Sequence, residues 1–310
     1  MNRDNNAQRR SKSFLLPVDD REFILSDEMR PLRFAMEYAK TEQALRKACI
    51  CSTVVVFGSA RAPSPEHLEA LRRDPAINSD ADKLKRLIRQ AGYYERARAF
   101  ATLVSLRGGA LFSGQGCGEN VIATGGGPGI MEAANRGATE AGAPSIGFNI
   151  TVPAEQQPNA YSTPELTFQF HYFAMRKMHL AMRANALAVF PGGFGTLDEL
   201  FELLTLLQTR KAPALPVVLF GRDYWRRVIN FDELVSEGAI SQADRQLFEV
   251  VEEPEEAWQV LCQRGLTAHL PASKRRHAAV CEDNGLGESP SPLIQAVLPV
   301  GRVEKTKTCA

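Results

Sequence analysis

The nine residues Pro191-Gly-Gly-Phe-Gly-Thr-Leu-Asp-Glu199 are of types that can hold a phosphate and act on a bond beside it. They join a short apolar run, Ala186 to Phe190, to a helical stretch from Thr196 to Thr209, so the order is strand, glycine turn, helix start. Gly192, Gly193 and Gly195 permit φ > 0 or a close approach of the backbone to a ligand. The N–H groups at the helix start are unpaired and partly positive, which suits an anion. A carboxylate in the first helical turn would be repelled by a phosphate, so Glu199 is assigned to a sugar or bond next to it. Capping is the alternative: in Thr196-x-x-Glu199, Thr196 would cap the N3 amide and Glu199 would reach back to the N-cap amide. Capping leaves the glycine-rich turn unexplained.

The rest of the chain must position this loop. Thr53 to Phe57 reads as a buried strand followed by Gly58-Ser-Ala-Arg61, a small-residue turn that places one wall of a site. Val121 to Thr124 leads into a second glycine loop, Gly125-Gly-Gly-Pro-Gly129, and a helix to Ala141. Further strands are expected at 144–148, 166–170, 217–220 and 248–251, and helices at 92–106, 174–183, 224–237 and 254–263. Such alternation predicts an α/β fold, a doubly wound, Rossmann-like parallel sheet over 50–264, with ligands at the carboxyl ends of its strands. Residues 1–27 read as a mobile arm and 28–49 as an N-terminal helix packing through Leu32, Ala35, Met36 and Ala39. A surface insertion with a short helix near 80–89 follows at 63–90, and 265–310 reads as a flexible tail. The tail's Lys274-Arg-Arg276 is a solvated charge run rather than a nucleic-acid site.

Other templates fail. There is no G-x-x-x-x-G-K-[ST], and Gly125 to Gly129 lacks the second half of G-x-G-x-x-G, which removes ATP hydrolysis and standard dinucleotide binding. Tyr172-Phe-Ala-Met-Arg-Lys-Met178 puts Arg176 and Lys177 at the start of a helix whose other face is Met175, Met178 and Met182. Taken alone, these two cations would equally be surface charges.

Together these stretches strongly resemble the LOG family of cytokinin riboside 5′-monophosphate phosphoribohydrolases, often mislabelled "lysine decarboxylase-like". The resemblance rests on Phe57-Gly-Ser-Ala-Arg61, Thr124 to Ala138, Met175-Arg-Lys-Met178 and Pro191 to Glu199, in that order. It covers about residues 50 to 262 and is similar to the longer bacterial type. It implies a nucleoside 5′-monophosphate substrate, with AMP or an N6-modified AMP giving free base and ribose 5-phosphate, and no cofactor. By the same resemblance Gly192, Gly193, Gly195 and Thr196 hold the phosphate, Glu199 is the catalytic carboxylate and Arg176 the second catalytic residue. Gly58, Ser59, Gly126, Gly127, Met175 and Lys177 are placed along the substrate.

Hydrolysis of an N-glycosidic bond develops positive charge on the ribose and negative charge on the leaving base. Glu199 near a helix start should stay ionised and so suits ring stabilisation or water activation. Arg176 suits the departing base or the phosphate, and its pKa is too high for a general acid. Neither His171 nor His179 is clearly that acid. A carrier that binds a nucleotide or cofactor without cleaving it is the alternative, and its expected signature is loss of Glu199 or Arg176; both are present. Lysine decarboxylation needs a Schiff-base lysine, and no lysine here has a supporting motif.

Composition narrows the partners. Net charge is +1, so no overall field favours nucleic acid or an anionic membrane, and no apolar run approaches the about 18 residues of a span. A cytoplasmic location is expected, with the six scattered cysteines reduced and no metal site among them. A homodimer or higher homo-oligomer is also expected, as the resemblance implies. On the helix after the glycine loop, Leu197, Leu200, Phe201, Leu204 and Leu207 should face the sheet. Leu203 and Leu206 should then face a second surface: a partner subunit, or the N-terminal helix of the same chain.

Overall fold

A computed structural model describes residues 4–111, 117–152 and 157–266. Seven strands, β1 (Thr53–Phe57), β2 (Val121–Thr124), β3 (Ser145–Ile150), β4 (Thr167–Phe170), β5 (Ala184–Val189), β6 (Val217–Phe220) and β7 (Phe248–Val251), form one parallel sheet in the order β4-β3-β2-β1-β5-β6-β7. Their near-continuous apolar runs suit a sheet buried on both faces, and β1, β2 and β6 are buried along their whole length. The chain moves outward from β1 to β4, returns to β5 on the other side of β1, and moves outward again. The order therefore reverses between β1 and β5, where open sheets of this kind leave a crevice for a ligand.

The short helices α1 (Asn6–Arg10) and α2 (Arg21–Leu25) precede α3 (Arg30–Lys47). The chain continues through α4 (Pro65–Arg72), α5 (Pro75–Asn78), α6 (Ala81–Arg107), α7 (Ile130–Glu140), α8 (Phe173–Met182) and α9 (Phe194–Gln208). It closes with α10 (Arg222–Val228), α11 (Phe231–Ser236), α12 (Gln242–Arg245) and α13 (Pro254–Gln263). Val55 and Phe57 of β1 face one core with Leu45 of α3, Leu180 of α8, Leu200, Leu203 and Leu207 of α9 and Trp225 of α10. Val54 and Val56 face the other, with Phe100 of α6, Ala134 of α7 and Leu261 of α13.

Four local expectations are corrected. The helices expected near 80–89 and 92–106 are one, α6, of 27 residues; Asp80 caps its start by accepting from the Lys83 N–H, and Gly92 is carried in its interior. The helix expected over 224–237 is broken at Ile229, which is extended, and Asn230 caps the second piece. The stripe expected to seat α3 is exposed: Leu32 and Met36 face outward, while Thr41, Glu42 and Leu45 are buried. On α9 the buried positions are Thr196, Glu199, Leu200, Leu203 and Leu207, so Leu203 faces the sheet and Phe201 does not. In both helices a charged residue, Glu42 or Glu199, takes an inward position because an arginine meets it there, and a hydrophobic pattern by itself does not foresee that.

In the segment expected as a mobile arm, the turns of α1 and α2 are held by local bonds, such as Asp20 accepting from the Phe23 N–H. The tail calls on Lys274 to Arg276 and the rest of 267–310 lie outside the described residues.

Candidate active site

Three loops leave the carboxyl ends of β1, β2 and β5, the strands around the point of reversal. The β1 loop holds the other two in place. The Ser59 N–H donates to the Pro191 carbonyl at 3.0 Å, and the Ser59 carbonyl accepts from the Ile130 N–H at 3.1 Å. Tyr224 of α10 donates its hydroxyl hydrogen to the Gly192 carbonyl.

The glycines serve different ends. Gly126 and Gly129 have φ of +69° and +72°, the left-handed region. In the β5 loop none of the three glycines has positive φ. Gly192 is required by contact, since a Cβ there would lie 2.1 Å from Thr196 Oγ1. At Gly193 and Gly195 a Cβ would meet nothing within 4 Å among the described residues. These two positions leave open space above the helix start, the room a ligand needs to reach backbone amides.

Helix α9 begins at Phe194, two residues earlier than the sequence pattern places it, with Gly193 as N-cap and no side-chain cap. The capping alternative for Thr196 and Glu199 therefore fails. Glu199 lies one turn deeper than the free amides, which removes the expected repulsion from a bound phosphate. It is 3% exposed, and its Oε1 accepts from Arg176 Nη2 at 3.0 Å. Arg176 lies over the Phe173 ring, 4.9 Å from its centroid, and its Nη1 is 3.9 Å from where a Cβ on Gly125 would be. One arginine thus spans from the second glycine loop to the carboxylate of α9, and its Nε is buried without a hydrogen-bond partner among the described residues.

Burial pushes the Glu199 carboxyl above the ordinary carboxylate range, against the downward pull of Arg176 and Lys177. A helix start alone would have held it low. A buried carboxylate with raised proton affinity is a better general base for water than an exposed one. Lys177 turns away from Arg176 and pairs with Asp198 at 2.8 Å and Glu202 at 2.9 Å. Burial would lower its ammonium, but these two carboxylates raise it on balance, the opposite of what a Schiff-base lysine needs. Met175 packs against the core. The Gly127 carbonyl is occupied by the Asn159 amide at 3.0 Å. His179 is buried among Tyr38, Phe148 and Phe170, and burial drops its imidazole to about 4, so it stays neutral at pH 7.

A family model described as "Possible lysine decarboxylase" matches residues 131–261, which include α8, the β5 loop and α9. A cytokinin riboside 5′-monophosphate phosphoribohydrolase of Arabidopsis thaliana is 40% identical over 77 residues, 23% of this chain and 34% of that protein. A "Probable cytokinin riboside 5′-monophosphate phosphoribohydrolase" of Oryza sativa subsp. japonica is 30% identical over 134 residues, 42% of this chain and 53% of that one. Over this part of its length the chain is similar to the LOG family. It spans about a third to a half of the length of the curated relatives it matches. Among solved structures, the molybdenum cofactor binding protein of Rippkaea orientalis is 18% identical, with a TM-score of 0.41, over 68% of this chain and 96% of that one.

One residue beneath the second glycine loop is not foreseen from the sequence. Asn149, next to last in β3, is 7% exposed, and neither end of its amide has a hydrogen-bond partner among the described residues. It fills the space a Cβ on Gly126 would take, at 2.3 Å. The available signal was a lone asparagine near the carboxyl end of an otherwise apolar strand. Tyr224 left no signal, because its contact to Gly192 joins distant segments.

Proposed function

We propose that the chain hydrolyses the N-glycosidic bond of a nucleoside 5′-monophosphate, AMP or an N6-modified AMP, to free base and ribose 5-phosphate. The observation that carries this is the buried Arg176–Glu199 pair, set one turn below the uncapped amides of α9. The activity named for the Arabidopsis and rice relatives supports the same reading. The phosphate occupies the space over Gly193 and Gly195, held by the amides up to Thr196. Glu199 accepts a proton from water as the water oxygen bonds to C1′; the bond from C1′ to the base nitrogen breaks, its electron pair leaves with the base, and the base takes up one proton from solvent, so that the free base and ribose 5-phosphate account for all atoms of the water. Arg176 stabilises that departing charge and, as guanidinium, is not the proton donor. Gly58, Ser59, Gly126 and Gly127 form the walls, and no cofactor takes part. The test is a panel of nucleoside 5′-monophosphates with free base read by chromatography: adenine or its N6-substituted form should appear in step with ribose 5-phosphate, and release from no member of the panel overturns the reading.

We also propose that the working unit is a homodimer or larger homo-oligomer in the cytoplasm. No described helix is long and apolar enough to cross a membrane. With Leu203 in the core, the surface to be covered is the outer side of α9, where Phe194 is 93% and Phe201 38% exposed. Light scattering should give at least twice the 34.1 kDa chain mass, and Phe201→Glu should lower it. A monomeric wild type excludes the assembly.

A further inference from the structure

Helix α3 grips α8 along its whole length through polar and aromatic groups. At the start of α8, Glu37 Oε1 accepts from the His171 N–H at 2.9 Å and Oε2 from the Tyr172 N–H at 3.3 Å. Tyr172 is the N-cap of α8 and supplies no side-chain cap of its own, so a carboxylate from another helix serves this end. Arg33 Nε donates to the Tyr172 hydroxyl at 3.1 Å, and the Phe34 and Tyr172 rings lie 4.1 Å apart. In the middle, Tyr38 stacks on His179 at 5.4 Å. At the far end, Arg183, the C-cap of α8, donates both terminal nitrogens to Glu42 at 2.8 and 2.9 Å and its Nε to the Ile50 carbonyl. Burial would raise the Glu42 carboxyl, but Arg183 and Arg46 hold it at about 2, so this clamp stays charged at working pH. Arg176 lies between the two clamps.

A helix anchored by apolar contact alone can slide or roll on its bed, whereas directional bonds at both ends fix its height and rotation. Displacement of a catalytic group by about 1 Å can cost on the order of a hundredfold in rate. The seating of α3 by its polar side, with Leu32 and Met36 left in solvent, is what such a brace requires. We infer that α3 is a brace that sets the position of Arg176, and that Glu37 is a positioning residue for the reaction. This rests on the function proposed above.

The full-length protein tests it. Glu37→Ala should lower kcat for AMP about tenfold while KM changes less than about twofold, because Glu37 bonds to the start of α8, which carries Arg176, and the phosphate is assigned to the start of α9. Glu37→Gln keeps one carbonyl acceptor and should recover to within about threefold of wild type. In an Arg176→Ala background, Glu37→Ala should change kcat by less than about twofold, since nothing remains to be positioned. Equal losses in both backgrounds, or an unchanged kcat in Glu37→Ala, overturn the inference. Should the wild type cleave no nucleotide, amide hydrogen exchange still decides on the brace. Glu37→Ala must speed exchange over residues 172–178 and leave 194–200 unchanged, and unaltered exchange over 172–178 refutes it.

Discussion

Glu199→Gln is expected to lower turnover of AMP at least about a hundredfold without lowering the melting temperature near neutral pH. The two parts have one cause. The side chain is buried with Arg176, and burial raises its proton affinity, so its charge is held in the fold at a cost that the amide does not carry. A carboxyl raised in the fold binds a proton where the unfolded chain, with a glutamate pKa of about 4.3, has lost it. Its contribution to stability is therefore complete below that unfolded value and is lost as pH rises through the folded value. The melting temperature of the Gln variant should equal or exceed that of wild type at pH 7.5, and the gap should narrow as pH falls through the folded value. A folded variant with near-normal turnover would remove Glu199 from the chemistry. A large fall in its melting temperature at pH 7.5 would instead make the carboxylate a structural ion pair.

Adenosine should be cleaved at least about a hundredfold less efficiently than AMP, judged by kcat/KM, because binding energy from the remote phosphate is used at the reacting bond. The basis is the opening above Gly193 and Gly195 and the uncapped start of α9. Filling that opening tests the same geometry. Gly193→Ala adds a Cβ that meets no atom of the described residues within 4 Å, and its backbone, with φ of −95°, is open to alanine. The variant should fold as wild type does and lose AMP cleavage while its weak activity on adenosine is unchanged. Comparable cleavage of AMP and adenosine by the wild type would show that the loop does not hold a phosphate.

Much of the scaffold was legible because its signals are local. Val217 to Phe220 is an apolar run and Phe248 to Val251 a short run rich in strand-forming residues, and the structure places strands at those residues. Pro254 starts α13 where a proline at the first helical position predicts it. Both glycine loops follow strands in the order read from the chain, so Arg176 and Glu199 could be picked out before any geometry was known. Their meeting at 3.0 Å could not. It depends on the chain returning through α8 from the edge strand β4 to β5 beside β1, which sets Arg176 of α8 against α9, and strand order is decided by long-range packing rather than by neighbours in sequence.

The faces of helices were the least legible part. In α3 the apolar stripe faces solvent, and in α9 Leu200 and Leu207 turn inward as expected while Phe201 and Leu203 exchange sides; an inward Glu42 or Glu199 becomes favourable only when an arginine from a distant segment is there to pair with it. The start of α9 was misplaced by two residues for a similar reason. Thr196-x-x-Glu199 matches a capping box locally, yet the Pro191 carbonyl is tied to Ser59 and the Gly192 carbonyl to Tyr224. By itself the sequence determined the alternation of elements, the two glycine loops and the identity of the charged pair, because propensity and turn chemistry act over a few residues. Only the tertiary structure decided which side chains turn inward, that α3 clamps α8, and that the Asn149 amide under Gly126 has no partner among the described residues, because burial and pairing are properties of the assembled chain.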